Sequence, residues 1–314
     1  MPRHRIVVDA GVRAHTIAER RRIGRLQDSR IQAKTLRRYL LAVGYFYYWA
    51  SLEYGFVGDT WDSLDDQIVG WIEALWQEGD SRSIAADTLS GIQHLLNRKR
   101  VLTGGWRMLR AWERREIPAR APPLPAMVLV AMAGFAKACG RNDIAILLLL
   151  GFHTMLRTCE LLTLTGDKIA LNADNVGVLG LEWTKMGQRR GVSEYVTIDD
   201  AEIGRRLAQY LRNKPRGVPL LLGSSADFRK MFNDSLAALK LEHAGYRPYS
   251  LRRGGASFDF VTFGDLQRTM ARGRWMSVRV ARIYIVDGWQ LLNSLSLSVE
   301  TRQLCDFYTQ YLLS

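Results

Sequence analysis

From Arg30 to Glu53 the apolar side chains recur three and four residues apart, at Leu36, Tyr39, Leu40, Val43, Phe46, Tyr47 and Ala50. That is the period of one helix face. The same spacing predicts further helices over Ser63–Trp76, Ala85–Leu96 and Trp106–Arg115. Asp65 and Asp66 near the start of the first of these suit the positive end of a helix. Arg110, Arg114 and Arg115 fall on or near the exposed side of the last. Four helices in under ninety residues describe a small all-helical domain. The dense aromatics Tyr45 to Trp49 read as packing between helices ahead of base stacking.

The run Ile117 to Ala126 holds four prolines in ten residues. Proline cannot continue a helix and favours extended chain, so 117–126 reads as a linker. Beyond it, Met127–Cys139 and Asp143–Thr154 are apolar helical segments. Short strand-like runs follow at Lys168–Leu171, Val176–Trp183 and Glu194–Ile198. A turn rich in glycine and positive charge, Thr184 to Gly191, separates the last two. Asp199–Asp200 then starts a helix to about Leu211, and helical patterns continue to a final segment over Leu291–Leu313. The expected fold is mainly α with a small antiparallel β-sheet. The apolar residues of the final segment suit packing on its own domain or on a neighbouring copy, and the sequence does not choose between them.

Charge narrows the partners. Lys+Arg number 44 against 31 Asp+Glu, a formal charge of +13, which favours polyanions: nucleic acid first, an anionic membrane surface second. Residues 1–29 are arginine-rich and weakly patterned, a basic N-terminal arm that is solvated or in contact with nucleic acid. The most apolar run, Ile144 to Phe152, is too short to span a bilayer. Arg20, Arg21 and Arg22 interrupt any signal-peptide core. Cys139, Cys159 and Cys305 are widely spaced, with no zinc or disulfide pattern, and fit a reducing intracellular compartment.

Several chemistries are missing from the pattern. There is no HExxH, no DxDxDG loop and no Walker A run. The second half holds only His153 and His243, in no nucleophile-elbow context. Metal-free cleavage of a nucleic-acid strand needs a nucleophile, fixed cations on the phosphate oxygens and a proton for the leaving oxygen. Arginine suits the second role through its planar, permanently charged fork. Tyrosine suits the first, because phenolate both attacks and leaves. A lysine on a hairpin tip suits the third.

Taken in order, a set of residues resembles the tyrosine recombinase/integrase family. Leu156-Arg-Thr-Cys-Glu-Leu-Leu-Thr-Leu164 is similar to its first box, an arginine with an acidic residue three positions on. Thr184-Lys-Met-Gly-Gln-Arg-Arg190 is similar to the hairpin that carries its lysine. Pro248-Tyr-Ser-Leu-Arg-Arg-Gly-Gly-Ala256 is similar to its second box. Gly273-Arg-Trp-Met-Ser277 is similar to a variant of the His/Trp box, with Tyr284 nine residues after Trp275 at the nucleophile position. The resemblance spans about 30–300.

The resemblance implies a helical core-binding, DNA-clamping domain over 30–116 and an α+β catalytic domain with a C-terminal helix over 127–314. It implies a site-specific recombinase that cuts and rejoins double-stranded DNA through a 3′-phosphotyrosyl intermediate, with neither metal nor cofactor. Arg157 and Arg252 would hold the scissile phosphate. Trp275 would donate its indole N–H or pack on the nucleophile helix. Lys185 would protonate the leaving 5′ oxygen, Glu160 would orient Arg157 or a neighbour, and Tyr284 would attack. A homo-oligomer on DNA, dimer to tetramer, with no membrane partner, is the implied assembly. The implied location is intracellular with DNA: cytoplasm or nucleoid in a prokaryote or virus host, nucleus in a eukaryote. Tyr249 departs from the pattern, standing where the family has His or Lys, and a phenol is a poor base near neutral pH. A binding-only protein on the same fold and a type IB topoisomerase are the alternative readings.

Overall fold

The computed structural model describes residues 10–25, 30–116, 120–181, 193–212, 214–285 and 297–313. The chain divides into two compact units, Met1–Ala119 and Arg120–Ser314. The first is helical: α1 (Ala10–Ile23), α2 (Ala33–Tyr54), α3 (Trp61–Gln77), α4 (Arg82–Leu95) and α5 (Thr103–Arg115). Each of the four expected helices is present, and α3 starts two residues early because the Thr60 hydroxyl accepts from the Ser63 N–H at 3.2 Å. Their buried faces meet in a core of Phe46, Ile68, Trp71, Leu75, Leu89, Ile92 and Trp112.

Three details differ from the sequence reading. The weakly patterned arm contains α1, an almost wholly exposed helix whose last turn carries Arg20, Arg21 and Arg22. Cations there suit the negative end of the helix, a source of stability that hydrophobic periodicity does not register. Of the aromatics on α2, Phe46 is fully buried and Trp49 lies 5.3 Å from Trp71, whereas Tyr45 and Tyr48 are exposed. Helical rotation takes those two tyrosines off the face defined by Val43, Phe46 and Ala50. Asp65, finally, serves a helix other than its own. Its carboxylate accepts from the backbone N–H groups of Gly104 (2.7 Å) and Gly105 (2.9 Å), at the start of α5.

The second unit is built around α6 (Ala126–Ala138) and α7 (Asn142–His153). Every residue of α7 from Asp143 to Phe152 is buried, as expected of a helix apolar on all sides. The short α8 (Thr158–Leu162) leads to an antiparallel meander of β1 (Ile169–Leu171), β2 (Gly177–Leu181) and β3 (Glu194–Ile198). Leu179 stands opposite Ile169 on one side and Val196 on the other, which puts the buried positions of adjoining strands together. Four helices follow: α9 (Ala201–Leu211), α10 (Ser225–Ala238), α11 (Ser250–Phe263) and α12 (Leu266–Gly273). The unit ends with α13 (Val278–Tyr284) and α14 (Val299–Leu313). This is a mainly helical fold with a small antiparallel sheet. No helix among the described residues is long and apolar enough to cross a membrane.

Two close backbone contacts set the geometry. A Cβ on Gly255 would lie 1.9 Å from the Phe152 carbonyl oxygen, and one on Gly254 would lie 2.2 Å from that of Leu124. The glycine pair therefore lets α11 press against the end of α7 and against the proline-rich run. That run is not a free linker over its second part: Leu124 is fully buried and its N–H donates to the Ser250 carbonyl. The C-terminal helix α14 packs on α6 of its own unit, with Phe135 edge-on to Tyr308 and the Tyr308 carbonyl against Gly134. A Cβ at Gly134 would sit 1.9 Å from that oxygen. Gly134→Ala is therefore expected to lower the unfolding free energy by about 1–3 kcal/mol, read as an earlier urea midpoint together with faster proteolysis of the C-terminal helix.

Candidate active site

Arg252 lies one turn into α11 and is 1% exposed. Its Nη1 donates to the Met155 carbonyl, after α7, and its Nη2 donates to the Gly273 carbonyl at 2.6 Å, at the end of α12. Two of the five guanidinium N–H groups are committed to those carbonyls, and Nε has no partner. Burial, followed by the charges of Arg274 and Arg157, pushes its pKa down to about 10, so it remains a cation at neutral pH.

Arg157 caps α8 and keeps part of its side chain accessible. Glu160 accepts from the Arg157 backbone N–H at 2.9 Å and from its Nη1 at 2.5 Å. The same carboxylate accepts from Arg274 Nη2 at 2.7 Å. Arg274 reaches Glu194 on β3 as well, at 3.3 Å. Burial alone would raise the Glu160 pKa, but Arg274 and then the Arg157 hydrogen bonds hold it below the usual carboxylate range. Burial likewise works to lower the Arg157 pKa, and Glu160 outweighs it, so Arg157 is raised.

Two rings lie against Arg252. Trp275, 7% exposed, stacks on Tyr284 with centroids 4.5 Å apart and planes 29° from parallel. The Arg252 guanidinium carbon is 5.0 Å from the Trp275 ring and 5.3 Å from the Tyr284 ring. The Tyr249 hydroxyl donates to the Tyr284 hydroxyl at 2.5 Å. The Trp275 indole N–H is buried without a partner. A Cβ on Gly273 would fall 2.1 Å from the Trp275 ring, so the glycine makes room for the indole.

The structure thus brings Tyr249, Arg252, Trp275 and Tyr284 into contact, with the Arg157–Glu160 pair close enough to act on Arg252 and Tyr284 through charge. Lys185 lies outside the described residues. Arg274 and Glu194 were missed as separate site residues. Arg274 stood in the Gly-Arg-Trp run, but nothing in the run discloses its left-handed backbone, φ 56°. Arg272, two residues earlier, belongs to a second cluster. It pairs with Asp199 at 2.6 Å and Asp259 at 3.1 Å and donates to the His153 carbonyl at 2.8 Å. The His153 hydrogen bond and the two arginines, Arg272 and Arg268, keep Asp199 far below its ordinary pKa.

The chain is similar to the XerH site-specific recombinase bound to palindromic difH substrate in a post-cleavage complex, with TM-score 0.56 and 15% identity over 84% of this chain and 79% of that one. It is similar to a lambda integrase dimer bound to a COC′ core site, with TM-score 0.55 and 16% identity over 88% and 76%. The fold is the tyrosine recombinase fold. The Tn1549 transposon integrase in complex with transposon right end DNA shares it, with TM-score 0.53 and 13% identity over 90% and 98%. No family sequence model matches the chain, and no curated protein matches it by sequence. Within the tyrosine recombinase fold, ring and hydrogen-bond contacts join α11, α13 and the turn after α12, and Glu160 of α8 pairs with Arg274 in that turn.

Glu160 is 7% exposed and holds two arginines, so neutralising it takes from the partly exposed Arg157 its carboxylate and leaves the buried Arg274 with Glu194 alone. Glu160→Gln is expected to cost about 3 kcal/mol at neutral pH. Because the folded-state pKa is depressed, the stabilisation is complete above the unfolded value of about 4.3 and is lost as pH falls through the folded value. Urea midpoints measured from neutral to acid pH should therefore fall less steeply in Glu160→Gln than in the wild type.

Proposed function

We propose that this protein is a site-specific DNA recombinase that breaks and rejoins strands through Tyr284. The observation that carries the reading is the convergence of Tyr284, stacked on Trp275 and beside Arg252, with Arg157 and Glu160, from segments up to 127 residues apart in the chain (284 − 157). Chance packing of a basic protein does not require those residue types to meet.

In the proposed reaction the Tyr284 phenolate attacks the scissile phosphorus. A phosphorus–oxygen bond to tyrosine forms, the bond to the 5′ oxygen breaks, and Lys185 delivers the proton that this oxygen needs. Arg157 and Arg252 balance the charge that builds on the non-bridging oxygens. The buried indole N–H of Trp275 and Nε of Arg252 are donors without protein partners, which an anion could satisfy. The phosphotyrosyl bond conserves the energy of the phosphodiester, so reversal by a 5′ hydroxyl needs neither ATP nor metal. Double-stranded DNA as partner accords with the charge of +13. A homo-oligomer on DNA accords with the lambda integrase dimer on its core site.

The test is a nicked suicide duplex carrying the DNA that flanks the gene. Wild type should give a protein–DNA adduct that survives denaturation, Tyr284→Phe should give none, and Arg252→Ala should slow its formation at least a hundredfold. Salt-sensitive binding that is identical in wild type and Tyr284→Phe, with no adduct from either, would establish the binding-only alternative in its place.

A further inference from the structure

Tyr249 occupies the one position where the second box departs from its pattern, and the structure gives it a definite partner. Its hydroxyl donates to the hydroxyl of Tyr284 at 2.5 Å, with ring centroids 5.8 Å apart and planes inclined at 55°. Resting on the reading of Tyr284 as nucleophile, we propose that Tyr249 acts on that nucleophile as a hydrogen-bond donor and not as a base, holding the attacking oxygen and stabilising its phenolate.

Position comes first. The Tyr284 ring is fixed on one face by Trp275 at 4.5 Å. Stacking restrains the plane of a phenol but leaves its oxygen free to swing within that plane. Tyr249 restrains the oxygen itself. Tyr249 is in turn fixed by its backbone: its carbonyl accepts from the Arg253 N–H, and the neighbouring Ser250 accepts through its Oγ from the Arg247 N–H and through its carbonyl from the Leu124 N–H. The donor is therefore mounted on the buried start of α11, one turn from Arg252.

Proton chemistry points the same way. Two phenols in hydrogen-bond contact do not both ionise readily, because the second negative charge would form beside the first. Burial, and after it the hydrogen bond and charge of Tyr284, push Tyr249 well above an ordinary phenol, so it keeps its proton. The charged groups acting on the pair are Arg252 and Arg253 on α11 and Arg157 at the start of α8, while Glu160 and Arg274 act on Arg252 beside it. Arg120, on the proline-rich run, adds positive charge beside Arg253. One proton leaves the pair, from the Tyr284 oxygen to solvent water or buffer base, and the Tyr249 proton stays on its own oxygen as donor to the phenolate. When the Tyr284 oxygen bonds to phosphorus, no proton returns to Tyr249. A base at this position would do the reverse and accept the proton.

The experiment uses the full-length protein and the variants Tyr249→Phe and Tyr284→Phe, with single-turnover adduct formation on the nicked duplex followed against pH. Tyr249→Phe deletes one hydroxyl from a ring that is 40% exposed, so the fold is retained. The expected result is a loss of about tenfold near neutral pH, with the midpoint of the rate profile moved up by about one unit. The deficit should close at alkaline pH. A rate unchanged at every pH, or one lowered equally at every pH, overturns the proposal. A second readout is independent of DNA cleavage: the tyrosinate absorbance signal that disappears in Tyr284→Phe should have its midpoint at higher pH in Tyr249→Phe than in wild type. Coincident midpoints overturn the proposal even where adducts form. Absence of adduct from wild type at all pH values, with the midpoints separated, defeats the recombinase reading and leaves the phenol pair standing.

Discussion

The buried guanidinium of Arg252 is the constraint on which the second unit is organised. A cation at 1% exposure faces a desolvation cost of several kcal/mol, which only well-placed hydrogen bonds and charges offset. Its two carbonyl acceptors, Met155 and Gly273, come from turns on different elements. Both turns are unusual: Met155 itself and Arg274, next to Gly273, are non-glycine residues at φ 50° and 56°. Each such residue costs about 1–2 kcal/mol of backbone strain. Arg252 thus ties together two strained turns, one leading to Arg157 and the other to Trp275. The close approach allowed by Gly254 and Gly255 places α11 where the guanidinium can reach both.

Neighbouring arginines are kept apart by separate carboxylates. Arg272 is matched by Asp199 and Asp259, Arg274 by Glu160 and Glu194. The first group ties α12 to the end of β3 and to α11, fixing the helix that delivers the Gly273 carbonyl. The second ties the turn after α12 to α8 and β3, fixing Arg157. Reversing backbone handedness at Arg274 sends two side chains, only two residues apart, into different clusters. Arg157, Arg252 and Arg253 act on the Tyr249–Tyr284 pair, whereas Glu160 and Glu194 act on Arg157 and Arg274 beside it. On the proposed function, that positive charge faces a phenol that must become an anion to react.

Periodicity made most of the fold legible in the sequence, although Leu40 and Tyr47, read onto the apolar face of α2, are exposed. Helix α1 escaped, since it has no apolar stripe and its arginines serve the helix end. The candidate site was legible only as an ordered set of residue types. Arg157, Glu160, Arg252, Trp275 and Tyr284 carried it because their spacing is local within each box. The Arg274 links to Glu160 and Glu194 span 114 and 80 residues and depend on a backbone torsion, neither of which a local pattern encodes. Tyr249 was visible as a departure, but its partner 35 residues away was not.

That departure makes physical sense in its surroundings. Arg252 and Arg253 are both lowered in pKa, by burial first and then by neighbouring arginines. A lysine or a protonated histidine at position 249 would add a further cation beside them, raising the cost of burying Arg252 and loosening the two turns it holds. A phenol supplies a hydrogen-bond donor at the same place without a charge. The site can then hold an oxygen nucleophile by a neutral donor and reserve its cations for the anion that forms. The Tyr249–Tyr284 pair is in this sense the counterpart of the tightly packed arginines beneath it.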